Sequence, residues 1–385
     1  MSTDFLRTRP YTTAAMLRVY DDANTLRHAL AFEAAVAKAE AEAGILPLEV
    51  AQRIAAVCDE IPIDVAELAE EAAFAGTLAI PLVARLRHAL ADYPAAAEAV
   101  HRGLTSQDVA DTVMMLQAKQ AVLLLEADLT RLSAALAALA ERHATTPALG
   151  RTLLQNAGPI TLGLRAAHWL AGTDSVGTRL KRTCDGALSI QLGGPVGTRT
   201  SLNGQGARVA EMVAEQLGLR PCLPWHAIRD RVAELAAALG IAIGILGKVA
   251  RDVSLMSQNS VSEAREPPIG GRGGSSSMPH KQNPQGCQIA LAASVRAPGL
   301  VAAILAGLPQ EQERGLGGWQ AEAPVLAELF MLAAGSADAM ATVAEGLQVD
   351  LERLAGNLEA AGLDGDAGEA EAMVAGFLDD HRKDR

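Results

Sequence analysis

The 385-residue sequence predicts an all-helical chain, and three observations carry that reading. Residues 107–144 contain no glycine or proline, so one helix of roughly 55 Å is expected at 1.5 Å per residue. Alanine and leucine dominate while aromatic residues make up only 3%, a composition that suits helices packed closely through small side chains. No segment alternates apolar and polar residues as a half-buried strand does.

Taken in order, residues 22–43 read as a helix that Gly44 and Pro47 close. A second run covers 48–59, Pro62 and Pro81 mark breaks before further helices, and Tyr93-Pro94 precedes a short run at 95–100. On the long helix Leu125, Leu129, Leu132, Leu136 and Leu139 step by four and three, while Val109, Val113, Leu116 and Leu123 form an offset stripe. Two stripes imply burial on two sides, which requires a bundle or a multi-subunit core. Further long runs follow at 162–183, 208–217, 228–263, 285–308 and 324–346, with polar, Gly-rich loops at 193–206 and 267–274. The expected organisation is an N-terminal helical domain (1–100), a central long-helix bundle (101–346) holding a loop at 267–284, and a short helical stub (347–385).

A net charge of −12 argues against nucleic acid or an anionic membrane surface as the main partner. It leaves room for a small anionic substrate held by a local cluster of Arg and Lys. Cys58, Cys184, Cys222 and Cys287 lie far apart without metal-ligand spacing, so reduced thiols are expected, with no metal site. The N-terminus lacks the apolar core of a signal peptide, and a cytoplasmic location is expected. No stretch reads as about twenty uninterrupted apolar residues, so no membrane span is expected.

Four polar islands interrupt this hydrophobic chain. His101-Arg102-Gly103-Leu104-Thr105-Ser106-Gln107-Asp108 opens the long helix, where Thr105 or Ser106 can cap it and free N–H groups suit an anion. Gly150-Arg151-Thr152-Leu153-Leu154-Gln155-Asn156 offers Arg151 as a bidentate carboxylate ligand, or as an ordinary surface residue. Gly273-Gly274-Ser275-Ser276-Ser277-Met278-Pro279-His280-Lys281-Gln282-Asn283-Pro284 combines a mobile Gly/Ser start with a stiff Met-Pro exit, a charge and an amide. It lacks the GxxxxGK[ST] phosphate-loop pattern. The stretch 309–320 contains Arg314, which either connects two helices or faces an anionic substrate.

Ser275-Ser276-x-Met278-Pro279-x-Lys281-x-Asn283 resembles the loop shared by the fumarase/aspartase superfamily, and the islands at 101–108 and 150–155 precede it in that superfamily's order. Within it, Pro224-Trp225-His226-Ala227-Ile228-Arg229-Asp230-Arg231, Gly271-Arg272-Gly273-Gly274 and the stretch from Gln312 to Glu322 are similar to the bacterial 3-carboxy-cis,cis-muconate cycloisomerase branch. The resemblance runs from about Asp21 to about Leu329. It implies an all-α fold whose central bundle is completed by four copies of the chain, with active sites built from three of them. It implies no cofactor. The expected partners are a small carboxylate substrate and further copies of the chain.

The chemistry implied is removal or addition of a proton α to a carboxylate, with the bond made or broken at the β carbon. Thr105, Ser106, Lys281 and Asn283 are then expected to bind carboxylates, with Arg151, Thr152, Gln155, Ser276, Met278 and Arg314 at the substrate and Lys281 also assisting catalysis. Ser275 matches the serine that moves the α proton. His101 orients substrate, shuttles a proton or caps the first island. Fumarate-releasing lyases commonly carry a histidine at the position of Leu153, where it protonates the leaving group. A carboxylate of pKa roughly 4 leaves without a proton, whereas an amine does not. Leu153 therefore favours a muconate cycloisomerase, or a lyase releasing a group such as nitrite from nitrosuccinate, over an adenylosuccinate-type lyase. The cycloisomerases usually carry an aromatic residue at Leu153 and a basic one at Gln282. A non-catalytic protein on this scaffold is disfavoured because Ser275, Lys281 and Asn283 are all present.

Overall fold

The computed structural model describes residues 5–278 and 280–383, so Pro279 of the loop and the first four residues of the leader reading lie outside the described residues. Short helices come first: α1 (Phe5–Thr8), α2 (Ala14–Val19), α3 (Asp22–Glu42), α4 (Leu48–Glu60), α5 (Val65–Ala75), α6 (Ala79–Ala89) and α7 (Pro94–Ala99). Asp21 caps α3 by accepting from Asn24 N at 2.7 Å, and Gly44 ends it with φ +74.

The Gly- and Pro-free run folds as one helix, α8 (Ser106–Arg142), of about 55 Å. After it come strands β1 (Pro147–Thr152) and β2 (Gln155–Thr161), then α9 (Leu162–Ala187), α10 (Gly206–Leu217), α11 (Asp230–Met256), β3 (Ala264–Arg265), α12 (Gln285–Ala306), α13 (Glu322–Glu345), β4 (Gln348–Val349), α14 (Leu351–Ala360) and α15 (Ala370–Lys383). The expected all-α class holds, with one correction. β1 and β2 form an antiparallel hairpin and β3 pairs with β4, although no strand was legible. The hairpin turns on Leu153 and Leu154, both left-handed at φ 51 and 65 where Asn-Gly is the usual signal.

Helices α8, α9, α11, α12 and α13 pack as a bundle. The hairpin returns α9 antiparallel to α8, and Ser133 Oγ donates to Asp174 between them at 2.8 Å. Trp169 Nε1 donates to Asp252 across α9 and α11 at 2.7 Å. At Gly247 a Cβ would stand 2.8 Å from Ser294 Cβ, so glycine lets α11 and α12 approach closely. The starts of α8, α11 and α13 meet at one end of the bundle through Asp111, Arg229 and Glu322. The hairpin, the end of α11 and the start of α12 lie at the other. The leucine stripe of α8 is buried, as are Val109, Val113 and Leu116, but Leu123 is exposed. The C-terminal α15 docks on α9 through His381 Nδ1, 2.8 Å from Asp174, and an edge contact of Phe377 with His168.

By length and composition alone, three helical stretches, Asp230–Met256, Gln285–Ala306 and Trp319–Glu345, are apolar enough to cross a membrane. None of the three is an uninterrupted apolar run, because a hydropathy average tolerates scattered small or charged residues. Within this chain 61% and 67% of the first and third apolar windows are buried, against 22% for α12. Most of the apolar surface of α12 is therefore left for something else to cover.

Candidate active site

The predicted site residues divide between the two ends of the bundle. At the α8 start, Thr105 N donates to Asp108 Oδ2 at 3.0 Å, fixing the first turn. Asp108 is fully buried and also accepts from Gly193 N and Gly194 N at 2.9 Å each, with His226 Nε2 at 2.8 Å. One carboxylate thus ties the helix start to the Gly193–Gly194 turn and to the segment before α11. Beneath it, the buried Arg229 bonds both oxygens of Asp111 at 2.8 Å and Glu322 at 3.0 Å, and stacks 4.6 Å from the Trp225 ring centroid. Burial pushes the Glu322 carboxyl above its ordinary range, against the pull of Arg229.

This frame presents the first and fourth islands together. Arg314 Nη1 donates to Thr105 Oγ1. Ser106 is half-buried beside it. His101 precedes them with φ 58, its Nδ1 2.6 Å from Glu33 Oε1. The result is a small anion-receptive surface of Thr105, Ser106 and Arg314 flanked by His101.

The other end carries the second and third islands. Arg151 donates to both oxygens of Glu263 at 3.0 and 2.7 Å, so its guanidinium fork is already engaged within the chain. Glu263 is fully buried and also accepts from Asn357 Nδ2 of α14 at 2.9 Å. The hairpin is thereby fastened to the α11 end and to the C-terminal region. Thr152 and Gln155 are exposed neighbours flanking the turn, and Leu153 projects from its tip at 95% exposure. A groove of about 1040 Å³ runs between the hairpin and helices α9 and α11, lined by Arg151, Leu153, Arg165, His168, Trp169 and Lys248.

The Gly-rich loop leaves from the same end, since Glu266 caps α12 by accepting from Gly286 N and Cys287 N at 2.9 and 2.8 Å. Its base is pinned where Asn283 N donates to Gly273 O at 2.7 Å; a Cβ on Gly273 would stand 2.6 Å from Asn283 O. Ser275 Oγ accepts from Met278 N at 3.1 Å and from Ser277 N at 3.4 Å. Donors aimed at this oxygen favour its deprotonated form. Lys281, Ser276 and Met278 are exposed, and Asn283 Nδ2 donates to Gly274 O at 3.4 Å.

The chain therefore brings Thr105, Ser106, His101 and Arg314 together, and separately Arg151, Thr152, Gln155, Ser275, Lys281 and Asn283. The 27-residue α11 spans the interval, about 40 Å at 1.5 Å per residue, which no side chain bridges. Sequence reasoning missed Glu33 and Glu263. Glu33 and Glu40, seven residues apart on the face that carries Leu26, were the available signal.

A family model described as a lyase matches residues 9–299. The 3-carboxy-cis,cis-muconate cycloisomerase of Bradyrhizobium diazoefficiens is 46% identical over 351 residues, covering 91% of this chain and 78% of its own length. Nitrosuccinate lyase of Streptomyces davaonensis is 37% identical over 351 residues, covering 89% and 74%. The crystal structure of the 3-carboxy-cis,cis-muconate lactonizing enzyme from Pseudomonas putida superposes with a TM-score of 0.92 at 35% identity, covering 99% of this chain and 100% of that one.

Proposed function

This chain belongs to that lyase family, and on that premise we propose that it is an isomerase closing 3-carboxy-cis,cis-muconate to 4-carboxymuconolactone, a step of aromatic catabolism, without a cofactor. A carboxylate oxygen of the substrate forms a C–O bond at the β carbon, the adjacent C=C bond is consumed, and the α carbon gains a proton. Nothing leaves. Negative charge collects on the carboxylate attached to the α carbon before that proton arrives. Fixed donors there lower the barrier most. Lys281 and Asn283 take this role, while Thr105, Ser106 and Arg314 hold another carboxylate, and Ser275 delivers the proton. The two backbone donors to Ser275 Oγ stabilise the alkoxide left behind.

The observation that carries this reading is the hairpin tip. The most exposed side chain there is Leu153, which transfers no proton, nor does Leu154 beside it, and lactonisation asks for none at the oxygen that attacks. Purified protein mixed with the muconate is expected to bleach the diene absorbance without added metal or nucleotide; unchanged absorbance at high enzyme concentration would overturn the assignment. Ser275→Ala is expected to abolish turnover and preserve assembly. The second reading is release of fumarate from nitrosuccinate, favoured by the same Leu153 because nitrite also leaves unprotonated. Fumarate appearing in the ultraviolet distinguishes it.

We further propose a cytoplasmic homotetramer. The 40 Å interval between half-sites, about the length of α11, supports sites shared between copies, and the uncovered apolar surface of α12 supports a helical interface.

A further inference from the structure

Glu33 is one of two carboxylates sunk into the inner face of α3. It is 2% exposed, and Glu40, seven residues on, is 1% exposed. An isolated buried carboxylate is costly, so its partner defines its purpose. The hydrogen-bond partner of Glu33 is His101 Nδ1 at 2.6 Å, a short contact. Glu40 does not compete for that ring. Burial pushes its carboxyl up to about 7, and one of its oxygens has no partner.

His101 is held on three sides. Its backbone is left-handed, a sparsely populated conformation that persists where the surroundings impose it. Gly103, two residues on, is clamped: a Cβ there would stand 2.6 Å from Ser201 Cβ, and a Cβ on Gly194 would stand 2.5 Å from Gly103 O. The ring is then locked at Nδ1 by Glu33. Its other nitrogen, Nε2, makes no hydrogen bond to the described residues, and the side chain stays partly exposed, four residues ahead of Thr105 in the chain.

We propose that Glu33 is a positioning residue: by accepting from Nδ1–H of His101 it fixes that ring's tautomer and orientation and leaves Nε2 to face the substrate at the Thr105–Arg314 half-site. This rests on the cycloisomerase reading for the identity of the substrate.

Two measurements test it. Histidine-selective ¹⁵N NMR of the intact protein, assigned with His101→Gln, is expected to show Nδ1 of His101 protonated and hydrogen-bonded, a signature lost in Glu33→Gln. That readout needs no turnover, so it stands even if the muconate is not the substrate. In the diene assay Glu33→Gln is expected to raise KM roughly tenfold, the scale of one charge-assisted hydrogen bond, with a smaller change in kcat. In the His101→Gln background it should add nothing further. If Glu33→Gln does not assemble, Glu33→Asp withdraws the carboxylate and is expected to raise KM in the same way. Unchanged KM in an assembled variant, effects that multiply with those of His101→Gln, or a bare Nδ1 in the NMR spectrum would each overturn the proposal.

Discussion

Two inactive variants should make one active enzyme. Ser275→Ala removes the proposed proton carrier at the loop end, and Arg314→Met removes an anion ligand at the α8-start end. Each alone is expected to lose nearly all diene bleaching. The half-sites stand about 40 Å apart along α11, so on the proposed shared-site reading a working site takes Ser275 from one chain and Arg314 from another. In random co-assembly at equal amounts, each contribution is intact half the time, so about a quarter of all sites carry both. Co-expressing the two variants with different tags, purifying through both and measuring bleaching per site checks this. Recovery near a quarter of the unaltered rate is expected. Activity that stays at the level of the single variants would refute the shared site and place both residues in one chain's site.

Three further outcomes follow from the buried charges. Arg229→Met strands Asp111 and Glu322 in the core and is expected to cost about 3–5 kcal/mol of stability, read as a lower urea midpoint; an unchanged midpoint would count against the network. Glu40 has its carboxyl raised from an ordinary 4.5 to about 7, so the folded chain binds the extra proton between those values and stability falls as pH rises across that window. Glu40→Gln should flatten the melting temperature between pH 5 and 8, and equal slopes for both proteins would contradict the assignment. Glu263→Ala frees Arg151 and Asn357 from their common acceptor, so limited proteolysis between Leu153 and Leu154 should accelerate; unaltered cleavage would mean that the tether does not hold the hairpin.

Helices were legible wherever the local pattern was long. The runs read at 107–144 and 285–308 became Ser106–Arg142 and Gln285–Ala306, because absent breakers and buried stripes act over many turns. The run at 228–263 was overextended, since the sequence gives no sign that Met256 ends α11. The hairpin was invisible for a physical reason. Its turn residues are leucines in a conformation leucine avoids, and its six paired positions are held by register with each other rather than by an alternating face. The candidate site was legible as residues but not as places. Motif order said nothing of which islands share an end, because that depends on helix direction and length. Glu33 and Glu263 escaped because a carboxylate looks solvated until its partner, 68 or 112 residues away, is set beside it.

The apolar helices also set a problem of timing. Asp230–Met256, Gln285–Ala306 and Trp319–Glu345 leave the ribosome in the last two-fifths of the chain, after α8 and α9, whose remaining faces await α13 and α11. Until α11 and α13 close on them, and until α12 meets its cover, the nascent protein displays greasy surface on the scale that chaperones recognise and aggregates seed from. Yield in a producing cell should therefore depend on how fast newly made chains find one another, and slow or crowded synthesis should be felt first at α12.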